Sequence, residues 1–181
     1  MRAPLAIALL TALALLSCGR PVEAAPSLEA GIKATFLYKF VPFVQWPAGA
    51  FDTAASPVNI CVFGNDGVAD VIDDAAANQR VEQRPIVVRH LAAVNRNSGC
   101  HILYVTGPNG TAAEEAFAAV RGMPVLTVTD STMLRNAPAI VSFVLQANRV
   151  GFDIDEAAAV QNALTINSKL LSLARRVRPR P

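Results

Sequence analysis

Cys61 and Cys100 are the two side chains of this sequence best placed for covalent chemistry. In an exported protein, which meets an oxidising compartment, two such cysteines indicate a disulfide. The bond would close a loop of about 40 residues and contribute about 4 kcal/mol in the chain-entropy model. The alternative is that both thiols are buried and unpaired in neighbouring strands. A zinc site is not indicated, because two distant cysteines and two histidines lack the spacing of zinc ligands.

The acid–base residues form no recognisable catalytic or metal-binding pattern. His90 and His101 are the only histidines, and both lie at the ends of predicted strands. No serine follows the nucleophile-elbow pattern, and no predicted helix carries a histidine–glutamate metal pair. The aspartates that suit a hard cation are spread over different predicted elements: Asp66, Asp73, Asp74, Asp153 and Asp155. We therefore predict no enzyme activity, no metal and no cofactor.

A glycine-containing turn follows the first long predicted strand. Gly64–Gly67 stands between that strand and a short helix, which is how phosphate-binding loops begin. The turn lacks the full glycine fingerprint and the lysine of a phosphate-binding loop. The favoured interpretation is a tight strand–helix turn.

The N-terminal residues have the features of an export signal. Arg2 supplies a positive charge, and Leu5–Leu16 is an unbroken apolar run that is too short to span a bilayer. A small-residue site before Ala25 predicts a signal peptide over residues 1–24. The alternative is a lipoprotein signal over residues 1–17, in which Cys18 becomes the lipidated N-terminus. Both forms predict an exported protein that is not integral to the membrane.

The charge balance argues against one class of partner. The formal net charge is +2, and removal of residues 1–24 leaves +1, because two arginines and one glutamate are lost with them. So small a charge does not indicate a nucleic-acid-binding protein.

The densest aromatic stretch, Gly31–Pro47, is predicted to organise the mature chain. Its apolar residues recur at three- and four-residue spacing, which predicts one stripe of a helix. The stripe consists of Ile32, Phe36, Phe40, and Phe43 with Val44. Lys33, Lys39 and Gln45 lie mostly off it and are expected in solvent.

The ends of this helix are marked by particular residues. Ser27 is the expected N-cap, and Pro42 is expected to kink the helix because it cannot donate a backbone hydrogen bond. The Trp46–Pro47 step is expected to end it. The helix is interpreted as core packing; the alternative is a groove or partner surface built on Phe43 and Trp46.

Strands and helices alternate downstream of this helix. Apolar, β-rich runs predict strands at Val58–Phe63, Ile86–Arg89, Cys100–Val105, Pro124–Val128, Ala139–Leu145 and Val150–Ile154. Residues from Asp155 to the end are helical in pattern, with a break near residues 165–167. The alternation predicts one α/β domain over residues 27–177, with a mixed central sheet of about six strands flanked by helices.

The chain ends in a basic tail, residues 178–181. Its arginines and the two before them, Arg175, Arg176, Arg178 and Arg180, are interpreted as a solvated helix terminus that complements the helix dipole. The alternative is attraction to anionic lipid headgroups.

Five segments together resemble one known protein family. They are Ile32–Pro47 (IKATFLYKFVPFVQWP), Ile60–Gly64 (ICVFG), Cys100–Val105 (CHILYV), Pro124–Asp130 (PVLTVTD) and Asn148–Val177, which contains NRVGFDID and INSKLLSLARRV. Their order and spacing resemble the YfiR-like periplasmic proteins over nearly the whole mature chain.

The resemblance implies a fold, a disulfide and a function. The fold implied is a central sheet flanked by helices, and Cys61 and Cys100 match the principal disulfide of the family. YfiR-like proteins are periplasmic regulators that bind the periplasmic part of a membrane-bound diguanylate cyclase and hold it inactive. They thereby keep cyclic-di-GMP, and with it biofilm formation, low. The resemblance therefore implies a repressor located in the periplasm.

The partner surface expected from this resemblance combines the end of the first helix with the C-terminal segment. Asn167 and Lys169 flank Ile166 and Leu170, so they are expected to point outward if the apolar pair packs inward. An exposed lysine beside apolar neighbours suits an acidic patch on a partner. The alternative is that Lys169 is an ordinary exposed helix residue.

Two other assignments stay open at this point. One is a periplasmic small-molecule-binding protein, with a pocket between Trp46 and the sheet. The other concerns assembly: a homodimer is compatible with the sequence.

Overall fold

The structure is a computed structural model that describes residues 27–107, 110–131 and 138–180. The predicted signal peptide, its lipoprotein alternative with Cys18, and the last residue of the basic tail lie outside the described residues. No helix in the described part of the chain is long and apolar enough to cross a membrane.

A mixed sheet forms the centre of the described chain. The strands are β1 (Val44–Gln45), β2 (Val58–Phe63), β3 (Arg80–Val81), β4 (Arg84–Leu91), β5 (Ile102–Val105), β6 (Leu126–Asp130), β7 (Val141–Gln146), β8 (Arg149–Asp155), β9 (Thr165–Ile166) and β10 (Arg176–Arg178). Eight of them stand in the order β10-β8-β7-β6-β5-β2-β4-β3. β7–β8 and β3–β4 are antiparallel and the other neighbours are parallel. The predicted α/β class is confirmed, but the prediction of about six strands is too low.

Helices cover both faces of this sheet. They are α1 (Leu28–Lys39), α2 (Gly67–Ala76), α3 (Gly110–Ala119), α4 (Glu156–Gln161) and α5 (Ser168–Leu173). On one face, α1 and α2 pack on inward residues such as Ile60, Tyr104 and Val128. On the other face, α3 packs through Phe117 on Leu103 and its neighbours. The core therefore has two layers of side chains, one on each side of the sheet.

Helix α1 ends earlier than the sequence predicted. Ser27 does cap it, because its hydroxyl accepts a hydrogen bond from the Ala30 N–H at 3.1 Å. The helix stops at Lys39, and residues 41–43 form one turn of 3₁₀ helix that contains Pro42. Pro42 therefore ends the helix instead of kinking it, because it cannot donate the hydrogen bond that another α-helical turn needs. Trp46 lies beyond the short strand that follows.

The buried face of α1 also differs from the predicted stripe. It consists of Ala30, Lys33, Ala34, Leu37 and Tyr38. Ile32, predicted in the core, is 37% exposed, whereas Lys33, predicted in solvent, is only 3% exposed. The small side chains let α1 approach α2 closely, since a Cβ added to Gly67 would lie 3.4 Å from the Cβ of Ala30. Close contact between the two helices decides which side of α1 is buried.

The aromatic residues of α1 do pack on the sheet. Phe36 is half-buried and Phe40 is fully buried. Their rings contact Phe143 and Phe152 at centroid distances of 5.1 to 6.2 Å. Phe152 is therefore a core residue.

The C-terminal segment contains the break that the sequence predicted near residues 165–167, but it is not helical to its end. After β8 the chain forms α4, β9, α5 and β10. Ala174 is extended and leads the chain out of α5, and β10 then pairs in parallel with β8 at the sheet edge. The basic end is therefore not a helix terminus. Its arginines form ion pairs with acidic residues of β8 and α4: Arg175 with Asp153, Arg178 with Asp155, and Arg180 with Glu156.

Candidate partner surface

A disulfide joins Cys61 to Cys100, which is the pairing expected from the sequence. The two Cα atoms are 5.7 Å apart, and both side chains are buried on the α3 face of the sheet. The bond ties β2 to the end of the loop that leads into β5. The same loop is held by hydrogen bonds to the Ser98 and Gly99 carbonyls, from Arg89 at 2.6 Å and from the Asn59 side chain at 2.8 Å. The burial of both sulfurs indicates a structural brace.

His101 is also a structural residue. Its Nδ1 atom accepts a hydrogen bond from the Asn59 N–H at 3.0 Å, and its Nε2–H donates to the Ala50 carbonyl at 3.0 Å. The ring stacks on Phe51 at a centroid distance of 4.2 Å. Burial lowers the pKa of His101, so the neutral ring is favoured. His90, by contrast, lies in solvent and pairs with Asp73 at 2.6 Å.

The glycine-containing turn after β2 places Asp66 at the start of α2. One carboxylate oxygen of Asp66 accepts the Val68 and Ala69 N–H groups at 3.0 and 2.9 Å. The other accepts the hydroxyls of Tyr104 and Thr106, each at 2.7 Å. Burial, together with the nearby Asp66 charge, raises the pKa of Tyr104. The helix therefore carries its own anion at its N-terminus.

The same turn requires glycine at position 64. Gly64 has φ +104, and a Cβ atom there would lie 2.0 Å from the Thr106 carbonyl oxygen. The turn after β2 and the end of β5 thus approach each other more closely than any side chain would permit.

Lys33 is buried between two carboxylates. Its ammonium group donates hydrogen bonds to Glu29, on the same helix, and to Asp130, at the end of β6. Burial alone would lower the pKa of Lys33, but the hydrogen bonds and charges of Asp130 and Glu29 raise it overall. The burial of Lys33 was not predicted from the sequence. The alanines at positions 30 and 34, on the same side of the helix, were the signal that could have indicated it.

The Asp66 cluster lies where open α/β sheets commonly bind ligands. β2 is the switch point of the sheet, because the chain continues to β4 on one side and to β5 on the other. Ligands of such folds bind beyond the carboxyl ends of the strands at that point. Here the described polar groups, Asp66, Tyr104 and Thr106, are bonded to one another instead.

Three of the residues predicted as a partner surface, Phe43, Asn167 and Lys169, lie at or next to the antiparallel pair β1–β9. Val44 pairs with Ile166, and Gln45 pairs with Thr165. The Asn167 N–H extends the ladder by donating to the Phe43 carbonyl at 2.8 Å. Val44 and Ile166 are buried, whereas Gln45 and Thr165 are exposed. The ladder therefore brings the end of the α1 segment beside the C-terminal segment.

Asn167 and Lys169 take different roles at this junction. Asn167 caps α5, because its side-chain oxygen accepts the Lys169 N–H at 2.9 Å. Lys169 is exposed, while Ile166 and Leu170 are 4% and 2% exposed. We call Phe43, Gln45, Thr165, Asn167 and Lys169 the β1–β9 surface.

Trp46 is not part of that surface. It is half-buried, its indole N–H donates to the Pro124 carbonyl at 3.1 Å, and its ring packs edge-on against Phe51. The guanidinium of Arg84 lies 3.8 Å from the centre of the Phe51 ring. A cavity of about 220 Å³ adjoins Trp46, Phe51 and Arg84. This is the position at which the sequence analysis placed a small-molecule pocket.

Residues 30–175 match the model of a family described as YfiR/HmsC-like. No curated protein matches the chain.

Proposed function

Because the chain belongs to the YfiR/HmsC-like family, we propose that it binds the periplasmic part of a membrane-bound diguanylate cyclase and holds that enzyme inactive. The family match carries the proposal, since it extends from the first turn of α1 to the end of α5. Repression of the cyclase keeps the concentration of cyclic-di-GMP low and biofilm formation weak.

The Asp66 cluster supports a binding role over catalysis. The turn at which this fold class usually holds a substrate or cofactor is capped by a carboxylate with four hydrogen bonds from the protein itself. An anionic ligand would have to displace Asp66 and leave two buried hydroxyl groups without their acceptor, which is costly.

We propose the β1–β9 surface as the site that contacts the cyclase. It offers the half-buried ring of Phe43 and the exposed charge of Lys169, on two segments that the hydrogen bond from the Asn167 N–H to the Phe43 carbonyl joins. Apolar centres supply most of the affinity of such interfaces, and charges at their rim guide association. The expected partner patch is therefore apolar with an acidic edge.

The test uses a membrane cyclase encoded beside this protein. Both are produced in a strain that lacks other cyclases, and intracellular cyclic-di-GMP is measured with and without this chain. The proposal expects a lower cyclic-di-GMP concentration when the chain is present, and a complex of the two purified periplasmic parts. A cyclase whose output is unchanged by the exported, folded chain would contradict it.

Export is part of the same proposal. The intact mass of the protein isolated from cells distinguishes its two forms. A mass that begins at Ala25 indicates the cleaved signal peptide, and a lipid-modified Cys18 indicates the lipoprotein. A protein that retains residues 1–17 contradicts both.

A further inference from the structure

A partly open cavity beside the described residues lies away from the β1–β9 surface. It has a volume of about 420 Å³ and opens between the end of α3, the helix α4 and the edge strand β10. Phe117, Ile140 and Ala158 supply apolar wall, and Arg121, Gln161 and Arg178 supply the polar part. The exposed lining of this cavity is about equally polar and apolar. Its volume lies within the range of small-molecule sites.

The walls of this cavity are fixed by Asn162, which is only 6% exposed. Its side-chain oxygen accepts the Gly122 N–H at 3.0 Å, and its side-chain amide donates to the Val125 carbonyl at 2.9 Å. These bonds join the end of α4 to the connection between α3 and β6. The cavity is therefore formed by packed elements before any ligand enters.

The polar groups of the cavity are not all used within the protein. Asp155 is fully engaged, since one carboxylate oxygen accepts the Ala158 N–H at 3.0 Å and the other accepts Arg178 at 2.9 Å. The side chains of Arg121 and Gln161 make no hydrogen bond within the described part of the chain. Arg178 uses only one of its terminal nitrogens.

The charge of the cavity follows from this arrangement. Asp155 is neutralised by Arg178, so the guanidinium of Arg121 is left as the excess charge of the described wall. A guanidinium binds a carboxylate through two parallel hydrogen bonds, and an amide such as that of Gln161 adds a further donor. The negative carboxylate of Asp155, on the wall of the cavity, disfavours a ligand that carries a second negative group.

We propose that this cavity binds a small organic monoanion, with its carboxylate on Arg121 and its compact apolar body against Phe117 and Ile140. The site uses no residue of the β1–β9 surface, and the proposal does not depend on the function proposed above.

The test is a titration of the chain lacking residues 1–24, followed by NMR of the backbone amides at constant ionic strength. The probes are benzoate, phenylacetate and 2-methylbutyrate, with benzyl alcohol as the uncharged comparison. The proposal expects saturable shifts confined to the end of α3, α4 and β10 for at least one acid. Benzyl alcohol should bind about tenfold more weakly, because it lacks the charge-assisted hydrogen bonds.

Two variants decide whether Arg121 is the anchor. Arg121→Gln should weaken binding of the acid about tenfold and leave the unfolding midpoint unchanged, because the side chain is exposed. Arg149→Gln, at an exposed arginine that begins β8, should leave binding unchanged. The proposal is overturned if none of the three acids saturates, if the shifts map to the cavity beside Trp46, or if Arg121→Gln binds as the original chain does.

Discussion

Lys33 keeps its charge inside the protein because two carboxylates accompany it. A buried ammonium group loses hydration worth several kcal/mol, which only close partners can offset. Glu29 and Asp130 are such partners, and they hold the pKa of Lys33 above its ordinary value despite burial. The cluster therefore fixes the rotation of α1 relative to β6, since another rotation would separate these charges.

Replacement of this lysine tests that account. Lys33→Met should lower the free energy of unfolding by about 3 kcal/mol, because it breaks the buried ion pair between Lys33 and Asp130. Lys39→Met removes an exposed lysine from the same helix and should change the free energy of unfolding by less than about 0.5 kcal/mol. Urea unfolding of both variants gives the comparison, and equal effects would contradict the role assigned to Lys33.

His101 gives the protein a defined dependence on pH. Its folded-state pKa is lowered by burial, so its contribution to stability is complete above the unfolded value of 6.5 and is lost as pH falls through the folded pKa. The free energy of unfolding should therefore decrease below about pH 6.5. His101→Asn should flatten this part of the profile, whereas His90→Asn, at an exposed site, should leave it in place. Identical slopes for the original chain and His101→Asn would refute the assignment.

Residue types predicted chemistry better than they predicted contacts. The cysteine pair was expected from the sequence because disulfide formation depends on residue type and compartment. The roles of Lys33 and His101 depend on partners far along the chain: Asp130 is 97 residues from Lys33, and Asn59 is 42 residues from His101. No local pattern contains that information.

At the level of elements, the disulfide braces the connection between β4 and β5. Replacing both Cys61 and Cys100 by Ser should lower the free energy of unfolding by about 4 kcal/mol, since the bond joins residues 39 positions apart in the chain. Thermal unfolding with and without a reducing agent provides the control. The reductant should lower the midpoint of the original chain and not that of the double variant. Two thiols that react with an alkylating agent in the folded, unreduced protein would show that the bond is absent.

The edge strand β10 makes the basic end part of the sheet. Deletion of residues 178–181 removes the ion pairs of Arg178 and Arg180, both largely exposed, and should cost about 1 kcal/mol. Deletion of residues 176–181 removes the whole strand and uncovers the edge of β8. It should therefore lower the free energy of unfolding by more than the shorter deletion does. Chemical unfolding of the two truncations measures the difference. If both were as stable as the full domain, the strand would have no structural role.

The long strands and the alternation of strands with helices could be predicted, because runs of four or more apolar, β-rich residues are visible in the sequence. The strands β1, β3, β9 and β10 have two or three residues, which is too short for any alternation to appear. Their pairing depends on neighbours that are distant in the chain, as Val44 and Ile166 illustrate. The pair β1–β9 nevertheless brings together Phe43, Asn167 and Lys169, whereas Trp46 is turned to the Pro124 carbonyl.

At the scale of the whole molecule, the two proposed binding regions differ in kind. The β1–β9 surface carries an exposed lysine, which suits a protein partner. The cavity between α3, α4 and β10 is concave and suits a small anion. The two regions share no residue, so substitutions that impair one should leave the other unaffected.

The last prediction concerns Lys169 in the complex with a cyclase. Its side chain is exposed and only its backbone takes part in the cap of α5, so Lys169→Glu should leave the unfolding midpoint unchanged. A reversed charge at the rim of the interface repels an acidic patch, and association at low salt should become about tenfold slower. The readouts are the association rate with the periplasmic part of the cyclase and the cyclic-di-GMP concentration in cells, which should rise. Arg96→Glu reverses an exposed charge in the loop between β4 and β5 and should preserve repression. A folded Lys169→Glu protein that represses as well as Arg96→Glu would exclude Lys169 from the partner surface.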